Sequence, residues 1–344
     1  MSGLSMGAMH PRVLIVGAGL RGRMFAHVVA TEPQAELVGF VDPALPQGAT
    51  AIIDGQPFPV WRSIADAYAE ADPNSAIIAT PDFLHADAVT ELVNRGAALM
   101  LEKPVATTPE DTARIDDAVA RAGVYCMVAF ENRWNTPFLT IRQSVEAGQT
   151  GAPIFQAARL SNTYSVPQRM LSWAAKSSPL WFLMPHTVDL VQWIGGADIR
   201  TVFARGTRGV LAGRGIDTWD VVHVLAELTD GSTASLTSAW VLPESHPAPV
   251  DFTYELVGTQ GSALTDIGRS GVQVFQDRHT TVGMLGGAFD GIDSGAPAWM
   301  TRRYLADLRS GRSPETPLAA GIQVNRVLFA VERSLRSGAS EVVT

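Results

Sequence analysis

A glycine-rich turn near the N-terminus constrains the fold more than any other feature of this chain. Residues 17–22 read Gly-Ala-Gly-Leu-Arg-Gly, and they follow the apolar run at 13–16 and open onto a helix predicted at 20–31. In such a unit the first glycine permits the tight turn, the second lets the backbone approach a pyrophosphate, and the third lets the helix pack on the strand. The free N–H groups at the helix N-terminus bind the anion. The turn predicts a dinucleotide-binding site, and a turn of purely local origin is the alternative.

An acidic residue stands where such a site needs one. The apolar run at 35–41 ends in Asp42, about 20 residues after the turn, which is the separation expected for the acid that binds an adenosine ribose. Pro43 follows, with no Arg or Ser beside it to hold a 2′-phosphate. The sequence therefore favours NAD as the cofactor, with NADP as the alternative.

Composition and charge exclude several classes of partner. The 344 residues, enough for about two domains, carry a formal net charge of −8, which argues against a nucleic-acid ligand. No apolar run reaches the roughly 18 residues that would span a membrane. Residues 1–10 lack the pattern of a secretory signal and are interpreted as a disordered leader or an early start site. The single cysteine, Cys126, fits a cytoplasmic protein, and its apolar surroundings predict a buried structural thiol.

Two patterns divide the chain. Between residues 11 and 130 strand and helix signals alternate, as in a doubly wound parallel sheet. From 131 to 344 strands dominate, Asp230-Gly231 predicts a β-hairpin, and helices at 298–310 and 322–337 close the chain. The sequence therefore predicts an α/β protein with a cofactor-binding domain at 11–130 and a second domain at 131–344 on a largely antiparallel sheet.

Lys103 is the first candidate for proton transfer. Glu102-Lys103-Pro104 follows a strand predicted at 97–101, and doubly wound sheets bind ligands at the carboxyl ends of their strands. Pro104 keeps Lys103 out of the helical region, which fixes its direction. A positively charged nicotinamide nearby would disfavour the ammonium form, so this lysine suits the transfer of a hydroxyl proton. The alternative is an exposed lysine at a strand end.

Thr80, Pro81 and His85 follow another strand end, predicted at 76–79, and could line the cofactor cleft. Asp82 is a possible N-cap of the next helix. For His85, a capping or surface histidine is an equally good interpretation.

His186 lies on the apolar face of a helix predicted at 178–196, which Ser178 would cap and Pro185 would kink. A histidine on an apolar helix face is more often a satisfied core residue than a catalytic one, so spacing alone gives it a minority chance of catalysis.

Together these motifs resemble one oxidoreductase family, the glucose–fructose oxidoreductase, inositol dehydrogenase and rhizopine-catabolism group (Gfo/Idh/MocA). The resemblance covers residues 11–337. The matching features, in chain order, are residues 17–22, Asp42, Thr80-Pro81 with His85, Glu102-Lys103-Pro104, His186-x-x-Asp189-x-x-x-Trp193 and the strand–turn at 257–262.

The resemblance implies an N-terminal Rossmann domain and a C-terminal α/β domain with a large, mostly antiparallel open sheet. That sheet commonly forms a subunit interface in the family, which implies a homodimer or homotetramer. The family's reaction is reversible hydride transfer between a nicotinamide and a hydroxyl-bearing carbon of a sugar, cyclitol or related polyol, without a metal. Lys103 and His186 stand where the family places its proton-handling residues, so we expect both to be catalytic.

One departure concerns the surroundings of His186. The family often has an Asp four residues before this histidine, where the chain has Phe182. An apolar ring there would desolvate the imidazole and keep it neutral, and a neutral histidine is a competent general base. Asp189 could orient the ring instead, and Lys176 and Tyr164 are possible supporting residues. The family's Trp-Arg pair is reduced to Trp173-Ala174, which leaves the usual sugar contacts open.

Two other functions stay open. The chain could bind its cofactor as a regulator or sensor without turnover, or it could act as an NAD-assisted lyase or glycosidase. The candidate cofactor contacts are Gly17, Gly19, Leu20, Arg21, Gly22, Asp42, Thr80, Pro81, His85, Glu102, Lys103 and Arg133.

Overall fold

The chain forms two compact units. The computed structural model describes residues 9–268, 271–275, 279–283, 288–289 and 292–344. The predicted leader at 1–10 falls outside the described residues except for its last two positions. The first unit is Met1–Glu131 with Ala288–Ile322, and the second is Asn132–Gly287 with Gln323–Thr344.

The first stretch of the chain alternates strands and helices, as its sequence pattern predicts. Its elements are β1 (Arg12–Val16), α1 (Leu20–Ala30), β2 (Glu36–Val41), β3 (Thr50–Ile53), β4 (Gln56–Trp61), α2 (Ile64–Ala71), β5 (Ser75–Ile78), α3 (His85–Val93), β6 (Ala98–Leu101), α4 (Pro109–Ala122) and β7 (Cys126–Val128).

These strands form one sheet in the order β3-β4-β2-β1-β5-β6-β7. Its pairs are parallel except for β3 with β4. The near-continuous apolar runs of β1, β5 and β6 are buried, as expected for a parallel sheet covered on both faces. Strand β1 lies between β2 and β5, and the order of the strands along the chain reverses there. The carboxyl ends of these strands therefore lie at a topological switch point.

The edge hairpin β3–β4 is missing from the sequence interpretation. Its turn is Asp54-Gly55, with φ angles of 49° and 79°. A positive φ at both central residues matches the two-residue hairpin turn for which Asp-Gly is a strong signal, so the sequence did contain the clue.

The rest of the chain is rich in strands. Its elements are α5 (Thr136–Glu146), β8 (Pro153–Thr163), α6 (Pro179–Phe182), α7 (Met184–Gly195), β9 (Ile199–Thr207), β10 (Val221–Leu228), β11 (Thr233–Leu242), β12 (Val250–Gly258), β13 (Ser262–Asp266), β14 (Gly271–Phe275), β15 (His279–Gly283), β16 (Ala288–Phe289), β17 (Ile292–Asp293), α8 (Ala296–Ser310), α9 (Leu318–Ser337) and β18 (Glu341–Val342).

The second unit is built on a sheet in the order β13-β12-β8-β11-β10-β9-β18. Its pairs are antiparallel except for β8 with β11, which confirms the predicted largely antiparallel sheet. The predicted hairpin around Asp230-Gly231 joins β10 to β11. One face packs against helices, where Phe138 of α5 contacts Phe252 and Tyr254 of β12. The opposite, outer face leaves large side chains such as Leu225 and Leu264 exposed.

The single helix predicted at 178–196 is wrong, because the chain forms two helices that break at Leu183. Pro185 has no backbone N–H to continue a helix, and it lies in the first turn of α7, where that donor is not needed. Ser178 precedes α6 as predicted, but its side chain makes no capping hydrogen bond.

Residues 288–322 pack with the first unit, although the sequence pattern assigns them to the second domain. The buried hydroxyl of Tyr304 on α8 donates to the carbonyls of Ala76 and Ala98, at 3.2 Å and 2.9 Å, on neighbouring strands of the parallel sheet. Tyr125 at β7 donates to Asp307 of the same helix. These contacts hold α8 against the sheet.

Cys126 is buried in β7, and burial raises the pKa of its thiol to about 12, as expected for a structural cysteine. Within the described ranges, no helix is both long and apolar enough to cross a bilayer.

Candidate functional site

The glycine loop joins β1 to α1 as predicted. A Cβ on Gly17 would lie 2.6 Å from the Ala79 carbonyl oxygen, and a Cβ on Gly22 would lie 1.9 Å from the Gly17 carbonyl oxygen. Gly17 also has a φ of +103°. These two glycines are therefore required by the protein's own packing.

Gly19 is different because a Cβ there would meet no protein atom within 4 Å. This residue is the N-cap of α1, its backbone is extended, and no side chain caps the helix. The space beside Gly19 at the N-terminus of α1 is thus open, which fits a pyrophosphate bound there.

Asp42 lies directly beside this loop. Its Oδ2 accepts from the backbone N–H of Ala18 at 3.0 Å, and its Oδ1 accepts from that of Ala44 at 3.0 Å. Each carboxylate oxygen keeps a further lone pair, so Asp42 can still accept hydrogen bonds from ribose hydroxyls. The loop and the predicted acid are brought together as a dinucleotide requires.

Arg21, a predicted cofactor contact, binds two carboxylates. Its Nε donates to Glu102 at 2.5 Å, and its terminal Nη2 pairs with Glu131. The guanidinium carbon lies 4.7 Å from the centroid of the Phe25 ring. Burial lowers the pKa of Arg21, but the two carboxylates outweigh it and raise the pKa. The guanidinium therefore ties the cofactor loop to the residues that follow β6 and β7.

Lys103 follows β6, as predicted, and the Lys103–Pro104 bond is cis. Its backbone N–H donates to Glu102 Oε2 at 3.1 Å, so the Arg21–Glu102 pair also holds the lysine backbone. Burial is the largest influence on the Lys103 side chain and lowers its pKa. Arg21 adds to this, while Glu102 opposes it. In turn, burial alone would raise the pKa of Glu102, but Arg21 and Lys103 hold it below its usual 4.5.

His85 contacts the backbone just after Lys103. Its ring is 1% exposed; Nδ1 lies 2.9 Å from the Pro104 carbonyl oxygen and Nε2 lies 3.2 Å from that of Thr80. The predicted capping role of Asp82 is wrong, because Asp82 begins a short turn, Asp82–Leu84, and α3 is capped by Leu84. Both ring nitrogens of His85 thus face backbone carbonyls. This favours a role in positioning the Lys103-Pro104 segment over direct contact with the cofactor.

Thr80 follows β5 at the same edge of the sheet. Its buried hydroxyl has no hydrogen-bond partner among the described residues. A buried hydroxyl without a partner is costly unless a ligand satisfies it, so Thr80 fits the predicted cofactor site.

In the second unit, His186 lies in the first turn of α7 and is 9% exposed. Its Nδ1 lies 3.1 Å from Nδ2 of Asn132, which is 7% exposed. Asn132 belongs to the turn Glu131–Trp134 that follows β7.

Asp189, the predicted support for His186, instead binds Arg133. Its two oxygens accept from Arg133 Nε and from a terminal nitrogen of the same group, at 3.1 Å and 2.6 Å. The Arg133 guanidinium also lies 5.5 Å from the Trp193 ring. Of the other predicted supports, Lys176 is exposed at the end of the turn Ala174–Lys176, and the Tyr164 ring lies 3.9 Å below Arg214. Their support for catalysis stays a prediction.

An aromatic cluster stands where the family resemblance would place a carboxylate. Half-buried Phe182 contacts Trp173 at 6.0 Å between ring centroids and buried Trp240 at 5.7 Å. The position four residues before His186 is therefore filled by aromatic packing and not by an acid.

Sequence reasoning missed Asn132 and Glu131. A usable signal was present, since Glu131-Asn132-Arg133 follows β7 just as Glu102-Lys103 follows β6, and polar residues at strand ends mark the ligand edge of a doubly wound sheet. Only Arg133 was singled out there.

The two glycines make a matched test of the loop. Gly22→Ala should unfold or strongly destabilise the first unit, because the new Cβ would overlap the Gly17 carbonyl. Gly19→Ala should cost at most about 1 kcal/mol of stability, as a weaker N-cap, yet weaken NAD binding at least about tenfold, since its methyl group enters the space for the pyrophosphate. Thermal melts without cofactor and NAD titrations measure both. A Gly19→Ala protein that binds NAD as tightly as the wild type would contradict the assignment.

Arg21→Met tests the ion pairs. It should lower the free energy of unfolding by about 2–3 kcal/mol near neutral pH, less than for a fully buried pair, because the Arg21 side chain is 31% exposed. The folded-state pKa of Glu102 is depressed, so this stabilisation is present above the unfolded-state pKa of about 4.3 and is lost as pH falls through the lower folded-state value. Urea unfolding across this range should show the wild-type advantage shrinking in acid.

The control for this experiment is Arg114→Met. Arg114 also pairs with two carboxylates, Asp87 and Asp111, but at the surface, so its loss should change stability by less than about 0.5 kcal/mol. An Arg21→Met deficit equal to that of the control, or independent of pH, would contradict the account.

Comparisons with known proteins agree with this fold. The model of the oxidoreductase family with an NAD-binding Rossmann fold (GFO/IDH/MocA) matches residues 11–130, and the model of the GFO/IDH/MocA C-terminal domain matches 138–264. The scyllo-inositol 2-dehydrogenase (NAD(+)) of Bacillus subtilis strain 168 is 24% identical, over 95% of this chain and 94% of its own.

Solved structures share the fold across nearly the whole chain. The myo-inositol 2-dehydrogenase of Lactobacillus plantarum superposes with a TM-score of 0.81 at 17% identity, covering 98% of this chain and 100% of its own. The scyllo-inositol dehydrogenase of Lactobacillus casei, solved with NAD(H) and scyllo-inositol, gives 0.76 at 17% identity, covering 97% and 99%. The chain therefore belongs to the GFO/IDH/MocA oxidoreductase family and carries its NAD-binding Rossmann domain.

Proposed function

We propose that this protein is an NAD-dependent dehydrogenase that interconverts a secondary alcohol and a ketone on a cyclitol, a sugar or a related small polyol. The observation that carries the proposal is the connection from the glycine loop through Arg21 and Glu102 to the half-buried Lys103. The names of the relatives support the substrate class, since two of them act on scyllo-inositol or myo-inositol.

Lys103 and His186 are the catalytic residues of this proposal. NAD, when bound, takes a hydride from the carbinol carbon and returns it in the reverse direction. Because burial lowers the pKa of Lys103, a larger share of its side chain is the neutral amine that can accept a proton. Glu102 and Arg21 hold the backbone of Lys103, and His85 holds the loop after it, so the amine is presented in one place.

Lys103→Ala and His186→Ala should each lower turnover by about 10²–10⁴-fold while the Kd for NAD changes only a few-fold. The assay is a panel of cyclitols, sugars and keto-sugars followed at the NADH absorbance band, in both directions and with NAD and NADP. His10→Ala, at an exposed position of the first unit, is the control.

Three results would overturn the proposal. Near-wild-type rates in both variants would show that Lys103 and His186 are not catalytic. Tight NAD binding without turnover on any compound would favour a sensor. Product formation without net NADH would favour an NAD-assisted lyase or glycosidase.

We further propose that the protein is a homo-oligomer that associates through the outer face of the second unit's sheet. One row across this face runs through Phe203, Leu225, Ser235, Ala157, Glu255 and Leu264 on neighbouring strands. Leu225 is 63% exposed and Leu264 is 75% exposed. Exposed large apolar side chains grouped on one face of a sheet are typical of a protein interface.

Leu225→Asp should weaken this assembly, because two copies of the face would each bury an added charge. Light scattering coupled to size-exclusion chromatography should show a shift from dimer or tetramer towards monomer. Ile52→Asp, at a comparably exposed apolar residue of the first unit, should leave the mass unchanged. A wild-type monomer at micromolar concentration would contradict the proposal.

A cytoplasmic location, favoured by the single buried cysteine, stays a prediction that fractionation of the producing cells would test.

A further inference from the structure

We propose that Asn132 fixes the tautomer of His186, so that the imidazole keeps its proton on Nε2 and donates a hydrogen bond to the substrate oxygen, while Lys103 accepts the proton. Asn132 would be a positioning residue, and the division of labour rests on the dehydrogenase function proposed above.

The contact between the two side chains is buried and its backbone is held at both ends. Asn132 Nδ2 lies 3.1 Å from His186 Nδ1, and both residues are less than a tenth exposed. The Asn132 carbonyl accepts from the N–H of Asn135 at 3.1 Å, and the His186 N–H donates to the Leu183 carbonyl at 3.1 Å. Breaking this contact would leave buried polar atoms of both side chains without this hydrogen bond, which is costly.

The chemistry of an amide nitrogen decides the direction of this hydrogen bond. An amide Nδ2 has only donor hydrogens, so Nδ1 of His186 must accept. A neutral imidazole that accepts at Nδ1 carries its hydrogen on Nε2. Only this tautomer avoids placing a ring N–H against the amide N–H.

A carboxylate at the same place would have the opposite effect. It would accept from an Nδ1–H, leave the Nε2 lone pair as a base, and stabilise the imidazolium. The position four residues before His186 holds Phe182, which packs against Trp173 and Trp240, and Asp189 binds Arg133 through both oxygens. The ring is therefore set up to donate.

With these roles, the proton and the hydride are accounted for in both directions of the reaction. In oxidation the hydroxyl proton passes to the Lys103 amine, which becomes an ammonium, while the C–H hydride leaves the same carbon for the nicotinamide and the C=O bond forms. His186 stabilises the developing negative charge on oxygen through Nε2–H and keeps its proton. In reduction the Lys103 ammonium returns the proton to the oxygen.

The direct test is the tautomer of His186 in the resting protein. Protein labelled at the histidine ring nitrogens gives long-range proton–nitrogen correlations for its seven histidines, and His186→Gln identifies the signal. The proposal requires a neutral ring with the proton on Nε2. A ring protonated on Nδ1 overturns it. This readout needs no substrate, so it stands apart from the failure of any dehydrogenase assay.

Asn132→Asp gives the kinetic test and is close to the native residue in size. In this background the proton should move to Nδ1, and His186 should gain the capacity to accept a proton. Lys103→Ala should then cost at least about tenfold less than in the wild-type background, a difference of about 1.4 kcal/mol in coupling. An equal cost in both backgrounds overturns the proposal.

Two further variants guard against a purely structural effect. Asn135→Asp changes a neighbouring buried amide of the same segment and should leave the His186 tautomer as in the wild type. If Asn132→Asp does not fold, Asn132→Leu removes the donor without adding charge, and loss of the Nε2–H preference in its spectrum makes the same test. An unchanged preference in Asn132→Leu would contradict the role of Asn132.

Discussion

The ion pairs of Arg21 are the interaction on which the first unit's site depends. A single guanidinium on the first turn of α1 joins Glu102 at the end of β6 to Glu131 after β7. Glu102 in turn accepts from the backbone of Lys103. The loop for the pyrophosphate and the lysine for the proton are therefore parts of one charged network, and a movement of one would disturb the other.

The same network sets the charge of the lysine. A carboxylate beside a buried amine would ordinarily keep it protonated. Here burial outweighs Glu102 and Arg21 adds to the effect of burial, so the pKa of Lys103 is lowered. In the second unit an uncharged amide lies next to His186, because Asn132 offers a donor where a carboxylate would offer charge.

Sequence reasoning reached the fold and the strand ends because those signals are local. The glycine turn, the acid at position 42 and the Glu-Lys-Pro run can each be seen within a few residues, and the structure places Asp42 beside the loop. The features that escaped depend on distant contacts. Helix α8 joins the first unit through a Tyr304 hydroxyl on carbonyls more than 200 residues away, and Asn132 meets a histidine 54 residues later. Pro185 did signal an irregularity near Leu183. A proline can either kink one helix or stand in the first turn of a new one, however, and the sequence alone does not separate the two.

The central claim is that Lys103 is a half-buried amine of depressed pKa, and the composition of the chain makes this pKa directly measurable. Lys103 and the exposed Lys176 are the two lysines of the sequence. Protein carrying labelled lysine side-chain carbons therefore gives two signals, which Lys176→Arg assigns, and a pH titration by NMR follows each. The account predicts a Lys103 midpoint below 10.5, rising when Arg21 is replaced by Met. A midpoint at or above 10.5 would contradict it.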